Sequence, residues 1–196
     1  MSRKTNNKKN VFNLKGHFLV AMPGMEDSRF ARSVVLICAH SGDGSMGFII
    51  NQPVAKPSFT DILKELDISF DPSKQQPPRQ VFHGGPVEQG RGFVIHSLDY
   101  STPASSRVDD LAGVSATIDA LQKIAGENGP ENSIMLLGYA GWAEGQLEQE
   151  IAQNGWLTMP ATHEILFKTP HHKQYEAALA QMGISEELLS ANSGHA

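Results

Sequence analysis

The longest unbroken apolar run in the chain is VVLICA, residues 34–39. Six residues cannot span a bilayer, which needs about 20. Apolar side chains at successive rather than alternate positions, through VVLICAH (34–40), mark a central strand covered on both faces. The segment therefore demands a sheet with other structure packed against each side. The chain has 196 residues, 40% hydrophobic and 19% charged, which suffices for one substantial core.

The neighbouring segments read as strands joined by tight loops, with helices between them. GFIIN (47–51) is a second strand, stopped by Pro53, which cannot donate to a ladder. Residues 58–66 form a helix: Phe59, Ile62, Leu63 and Leu66 recur at i, i+3, i+4, i+7, and Ser58 with Asp61 makes a capping-box-like start. QVFHGG (80–85) and GFVIHS (92–97) read as another strand pair, reached through SKQQPPRQ (73–80), an extended surface loop. GSMGFIIN and GRGFVIHS share the order glycine, aromatic, aliphatic, aliphatic, too short a rhyme to establish a repeat.

A helix near 116–125 presents Ile118, Leu121, Ile124 and Ala125, and SIMLLG (133–138) is a further buried strand. HEILF (163–167) also reads as a strand. Thr169 as N-cap and Pro170 at the first helical position open a last helix carrying Tyr175, Ala178, Leu179 and Met182, which Gly183 ends. Strand pairs separated by helices point to an α+β class with a mixed, mostly antiparallel sheet rather than a regular βαβ winding.

Charge is uneven. Arg3, Lys4, Lys8, Lys9 and Lys15 give the first 15 residues +5 with no acid; the chain as a whole carries −5, so the remainder carries −10. An acidic body argues against direct nucleic-acid binding, which needs clustered Lys and Arg. Residues 1–13 read as a flexible basic leader and residues 14–196 as one domain. VFNLKGHFLV is too polar for a secretory h-region, and with Cys38 as the sole cysteine no intrachain disulfide or cysteine zinc site can form, so a cytoplasmic protein is expected, with no membrane anchor. Cys38, mid-strand among aliphatics, reads as a buried inert thiol.

Several motifs resemble sites without meeting their physical requirements. Residues 42–47, Gly-Asp-Gly-Ser-Met-Gly, match G-x-G-x-x-G, but a strand follows where a helix N-terminus must stand to receive a pyrophosphate. A hairpin loop is the better reading. His83-Gly84-Gly85 looks like an oxyanion loop, yet no G-x-S-x-G nucleophile elbow accompanies it. No histidine pair has H-E-x-x-H spacing, so no metal and no cofactor is implied. His40, His83 and His96 stand at or near strand ends, where loops could gather them. Glu144 and Glu148 would share a face of the helix that follows residue 142.

LLGYAGWAEGQLEQEI (136–151) holds the sharpest ambiguity. It reads as a turn into a helix that begins near 142, with Ala143, Leu147 and Ile151 on one face and Asn154-Gly155 ending it. Tyr139, Trp142 and Gln146 surround Gly138, Gly141 and Gly145. The glycines suit either a packed corner or a ligand-contacting turn with free amides.

The chain resembles the AlgH/YqgE-like proteins of bacteria. The resemblance rests on GHFLVAMP (16–23), FARSVVLICAH (30–40), MGFIINQP (46–53), HGGPV (83–87), GFVIHS (92–97), LGYAGWAEGQLEQEI (137–151), NGWL (154–157) and the closing GHA. It covers roughly residues 14–196. Tyr175 departs from it, standing where tryptophan is expected. The resemblance implies a bent sheet curling towards a barrel, with peripheral helices. It implies little chemistry: the family is largely uncharacterised and carries the label of a transcriptional regulator of exopolysaccharide (alginate) synthesis. No helix-turn-helix with a basic recognition helix accompanies it here.

Three functional expectations follow. The first is a non-enzymatic regulatory or interaction protein with a protein partner, since no complete catalytic constellation assembles. The alternative is a small-anion or nucleotide-binding protein or enzyme using the glycine-rich turns at 83–86 and 138–145, lined by His40, Asn51, His83, Gly84, Gly85, Trp142 and Gln146, with a histidine as acid or base. The alternative requires those groups to converge in one concave site. The third, DNA binding through the basic leader, predicts strong salt dependence and loss on deleting residues 1–15.

Overall fold

The computed structural model describes residues 13–71, 73, 79–126, 129–185 and 189. The leader up to residue 12, most of the 73–80 loop and the closing GHA lie outside them.

Strand β2 (Val34–Ser41) runs antiparallel between β1 (His17–Ala21) and β3 (Gly44–Ile49). Its alternate side chains serve two cores. Val34 and Leu36 pack with Phe18 and Phe48, whereas Val35 and Ile37 pack with Leu19 and Ile49. This is the two-sided covering that the unbroken apolar run demands. The Gly-rich 42–47 segment is a β2–β3 hairpin, as the strand after it requires. The register shifts between Ile37 and Ala39, and the extra residue, Cys38, bends the sheet.

Nine strands form one curled sheet in the order β6-β7-β5-β8-β3-β2-β1-β9, with β4 also on β8. They comprise β4 (Val81–His83), β5 (Val87–His96), β6 (Ser106–Val108), β7 (Ala112–Ser115), β8 (Ser133–Ala143) and β9 (Trp156–Pro160) besides the first three. All named pairs are antiparallel except β4–β8. The α+β class is as read from the residues, and the bent, curled sheet is as the resemblance implies.

Helices fill the outside. α1 (Phe59–Glu65) and α2 (Ile118–Ala125) cover β5 and β8 through Phe59, Leu63, Leu121 and Ile124 against Val94 and Met135. The Ser58–Asp61 capping box is present in both directions, at 3.2 and 2.9 Å. α4 (His171–Gln181) closes the first core with Tyr175, Ala178 and Leu179. α3 (Gln146–Ala152) lies over the β1–β3 face through Leu147. Asn154 takes a left-handed φ of 58° and Gly155 N–H donates to Glu150 O at 2.8 Å, ending α3 as its sequence indicates. The two rhyming segments meet: Phe48 and Phe93 pack with ring centroids 4.9 Å apart.

Several sequence readings need correction. HEILF is a π-helical turn (Glu164–Lys168), not a strand. Ile165 and Leu166 are consecutive and both buried in one core, which a strand would point to opposite faces. Thr169 does not cap α4; its hydroxyl donates to Glu164 O at 3.1 Å, and Pro170 takes the cap position. β4 and β5 do not pair with each other. Each pairs with β8, because the Gly84-Gly85-Pro86 corner separates them. Residues 139–143 continue β8 rather than turning, so the helix starts at Gln146 and Glu144 shares no helix face with Glu148. Ile118, which opens α2, and Leu66, which caps the end of α1, face solvent at 52% and 39% exposed rather than joining their helices' buried stripes.

Candidate functional site

The glycines of 83–86 are held by backbone. Gly84 N–H donates to Leu137 O, Ile49 N–H donates to Gly84 O, both at 2.8 Å, and a Cβ on Gly84 would collide with the Gly138 carbonyl. A Cβ on Gly85 would meet the Tyr139 peptide, and one on Gly138 would stand 2.5 Å from Gly85 O. These residues let two stretches of backbone lie against each other at a corner. Asn51 stands close by as a clamp. Its Oδ1 accepts from Val34 N–H and its Nδ2 donates to Arg32 O, each at 2.9 Å. His83 N–H donates to Gln52 O at 2.8 Å, and burial lowers the imidazole pKa from its ordinary value.

The histidines do not gather. His40 Nδ1 lies 3.0 Å from Ser45 Oγ and its Nε2 3.2 Å from Glu148 Oε1, on the hairpin side of α3. His96 is fully buried at the end of β5, with Nδ1 3.0 Å from Ser97 O and Nε2 3.0 Å from Ser115 Oγ. Ser105 Oγ extends that chain, 2.8 Å from Ser115 Oγ. Cys38 has its thiol pushed up by burial, away from the reactive thiolate. Among the described residues no group of three or more His, Cys, Asp and Glu is placed to hold a metal ion, and no helix is long and apolar enough to cross a membrane.

Trp142 and Gln146 do come together, in a cleft of about 590 Å³ between α3, the 24–30 segment and the Pro86 corner. Its floor is aromatic. Phe30 lies edge-on to Trp156 at 5.4 Å, and Trp156 edge-on to Trp142 at 6.1 Å. Both indoles are fixed by one carboxylate: Trp142 Nε1 and Trp156 Nε1 donate to Glu150 Oε2 at 2.9 and 2.8 Å. Gln146 Nε2 donates to Glu150 Oε1 at 2.9 Å, and Gln146 Oε1 accepts from Ala143 N–H at 3.0 Å. Three hydrogen bonds to one carboxylate make a firm support.

The opposite wall carries Glu26, Asp27 and Arg29. Asp27 Oδ2 lies 2.6 Å from Arg29 Nη2, and hydrogen bonding from Arg29 holds its carboxyl below the ordinary range. The cleft thus sets three carboxylates against one guanidinium. His40, Asn51, His83, Gly84 and Gly85 do not line it. Glu150, Trp156, Phe30 and Asp27 do, and were not singled out from sequence. The available signals were the i, i+4 spacing of Gln146 and Glu150 and the second of only two tryptophans in the chain.

A family model described as DUF179, AlgH-like, matches residues 18–187. A UPF0301 protein of Sinorhizobium medicae is 50% identical over 189 residues, covering 93% of each chain. A UPF0301 protein of Rhizobium etli is 50% identical over 186 residues, covering 92% of each. The solution structure of the AlgH protein from Pseudomonas aeruginosa superposes with a TM-score of 0.76 at 38% identity, covering all of both chains. A crystal structure of a Corynebacterium diphtheriae protein, at 22% identity and a TM-score of 0.69 over 90% of this chain and 91% of that one, shares the fold.

Proposed function

The chain belongs to the AlgH-like family, and from that premise we propose that it is a non-enzymatic binding protein of the cytoplasm, regulatory in role, that acts by holding a partner in the Trp142–Trp156 cleft. One observation carries the reading. Glu150 holds both indoles and Gln146 in place, so the polar groups of the floor hold a recognition surface rigid. Aromatic planes beside amides and carboxylates suit recognition of a polar partner with some apolar surface. The acidic body supports regulation through a bound partner rather than through contact with DNA.

The competing reading, a small anion or nucleotide at the glycine turns, has less support. The Gly84 amide is bonded to Leu137, the Ala143 amide to Gln146, and the cleft carries more carboxylates than cations.

Both tryptophans of the chain line the cleft, so intrinsic fluorescence reports its occupancy directly. The test titrates the protein with nucleotides, phosphorylated metabolites, inorganic anions, amines and peptides, reading emission and thermal unfolding together. A ligand that moves both and loses its effect in Trp156→Phe supports the reading. Turnover of any panel member, or a thermal shift from nucleotides with unchanged emission, sinks it.

A further inference from the structure

Strand β8 changes neighbours part way along. Its first half lies between β4 and β5, and its last pair with β5 is Val87–Tyr139. From Ala140 to Ala143 it pairs with β3. Among the described residues no strand covers its other edge there, and that edge opens into the cleft. The side facing β3 is fixed by Trp142, whose carbonyl a Cβ on Gly44 would strike. The next peptide N–H, on Ala143, therefore points the opposite way, and it meets Gln146 Oε1 at 3.0 Å. Backbone groups of alternate residues share an edge, so Gly141 presents its N–H and C=O to the cleft as well.

The Gln146 side-chain amide thus stands where the peptide group of a further strand would stand. Its oxygen accepts from β8 and its NH₂ donates onward to Glu150. Gly141 is exposed and carries no side chain that could stand over the edge. Pro86, at the β5 end of the edge, has no N–H with which its own chain could extend the ladder. The lining carries net negative charge, with Glu26 and the Asp27–Arg29 pair on one wall and Glu150 beneath the indoles.

We propose that the cleft receives an extended, basic peptide segment of a partner protein, which adds as a strand to the free edge of β8 at Gly141–Ala143 and displaces the Gln146 amide. The proposal rests on the binding role of the cleft and names its partner chemistry. Main-chain hydrogen bonds to β8 give affinity, the half-buried Met25 and Phe30 of the cleft take an apolar side chain, and the carboxylates select lysine or arginine.

The test uses the full chain and three capped hexapeptides: one alternating lysine and valine, the same peptide N-methylated at alternate amides, and one alternating glutamate and valine. Readouts are tryptophan emission and amide hydrogen exchange at Gly141 and Ala143. The lysine peptide should slow exchange at both amides by about tenfold or more, and N-methylation on the pairing edge should abolish that protection. The glutamate peptide should bind about tenfold more weakly, with the gap narrowing as salt rises. Gln146→Ala, which removes the placeholder, should tighten binding of the lysine peptide. Equal binding of the methylated peptide overturns strand addition but leaves the cleft reading standing. Peptides that move neither readout overturn the proposal, and the small-molecule panel then decides the cleft reading separately.

Discussion

Trp142 and Trp156, from β8 and β9, donate their indole N–H groups to the same oxygen, Oε2 of Glu150. Both rings are buried, so neither N–H has ready access to water. Glu150→Ala leaves two donors without their acceptor, at about 1–3 kcal/mol for each. The variant should unfold about 2–6 kcal/mol more easily, while Glu150→Gln, which keeps one acceptor oxygen, should lose less. Denaturant titration followed by tryptophan emission measures both. An alanine variant as stable as the parent would show that the indoles find other acceptors.

Gly84 should tolerate no side chain. Its N–H and C=O are both bonded to neighbouring backbone, and a Cβ would strike the Gly138 carbonyl. Gly84→Ala should cost about 3 kcal/mol or more, whereas Gly42→Ala, in the hairpin loop where nothing lies within 4 Å, should change stability by about 0.5 kcal/mol at most. Thermal or denaturant melts of the two variants check the contrast. Equal tolerance would remove the packed-corner account of 83–86.

Acid should loosen α1 in a defined window. Hydrogen bonds from Ser58, with Lys56 beside it, lower the Asp61 pKa from 3.8 to about 2. A depressed folded-state pKa contributes stability that is present above about pH 4 and is lost as pH falls towards 2. Asp61→Asn should therefore flatten the dependence of Tm on pH between about 2 and 4. If parent and variant lose Tm in parallel over that range, the carboxylate contributes nothing there.

His96 should carry its proton on Nδ1. The Ser97 carbonyl beside Nδ1 can only accept, so Nε2 must accept from Ser115 Oγ, which in turn accepts from Ser105. Nitrogen chemical shifts of the labelled ring read the tautomer directly. Ser115→Ala removes the donor to a buried lone pair and should cost about 1–2 kcal/mol. An Nε2-protonated ring would reverse the direction of the whole chain of hydroxyls.

Much of the fold was legible because its signals are local. The two-sided apolar run of β2, the Ser58–Asp61 box and the Asn154–Gly155 stop each depend on residues within a turn or two of chain. HEILF was not legible, because five apolar-rich residues fit a strand or a helical turn equally and only the tertiary core decides. The cleft was half legible. Trp142 and Gln146 stood out among glycines, but Glu150 and Trp156 join them only when α3 folds back along β8. His40 and His83 both stand at strand ends, but His40 meets Ser45 and Glu148 whereas His83 lies on the strand that pairs with β8, a separation set by strand order, which sequence periodicity does not encode.

Strand β8 is bonded to β3, β4 and β5, all of which precede it in the chain. Until residues 133–143 leave the ribosome, those earlier strands have no common neighbour and their edges stay open. Closure over such long separations is slow, and adhesive edges exposed meanwhile invite aggregation. The chain should therefore need the help of chaperones late in synthesis. A message truncated before β8 should yield insoluble product rather than a smaller folded unit.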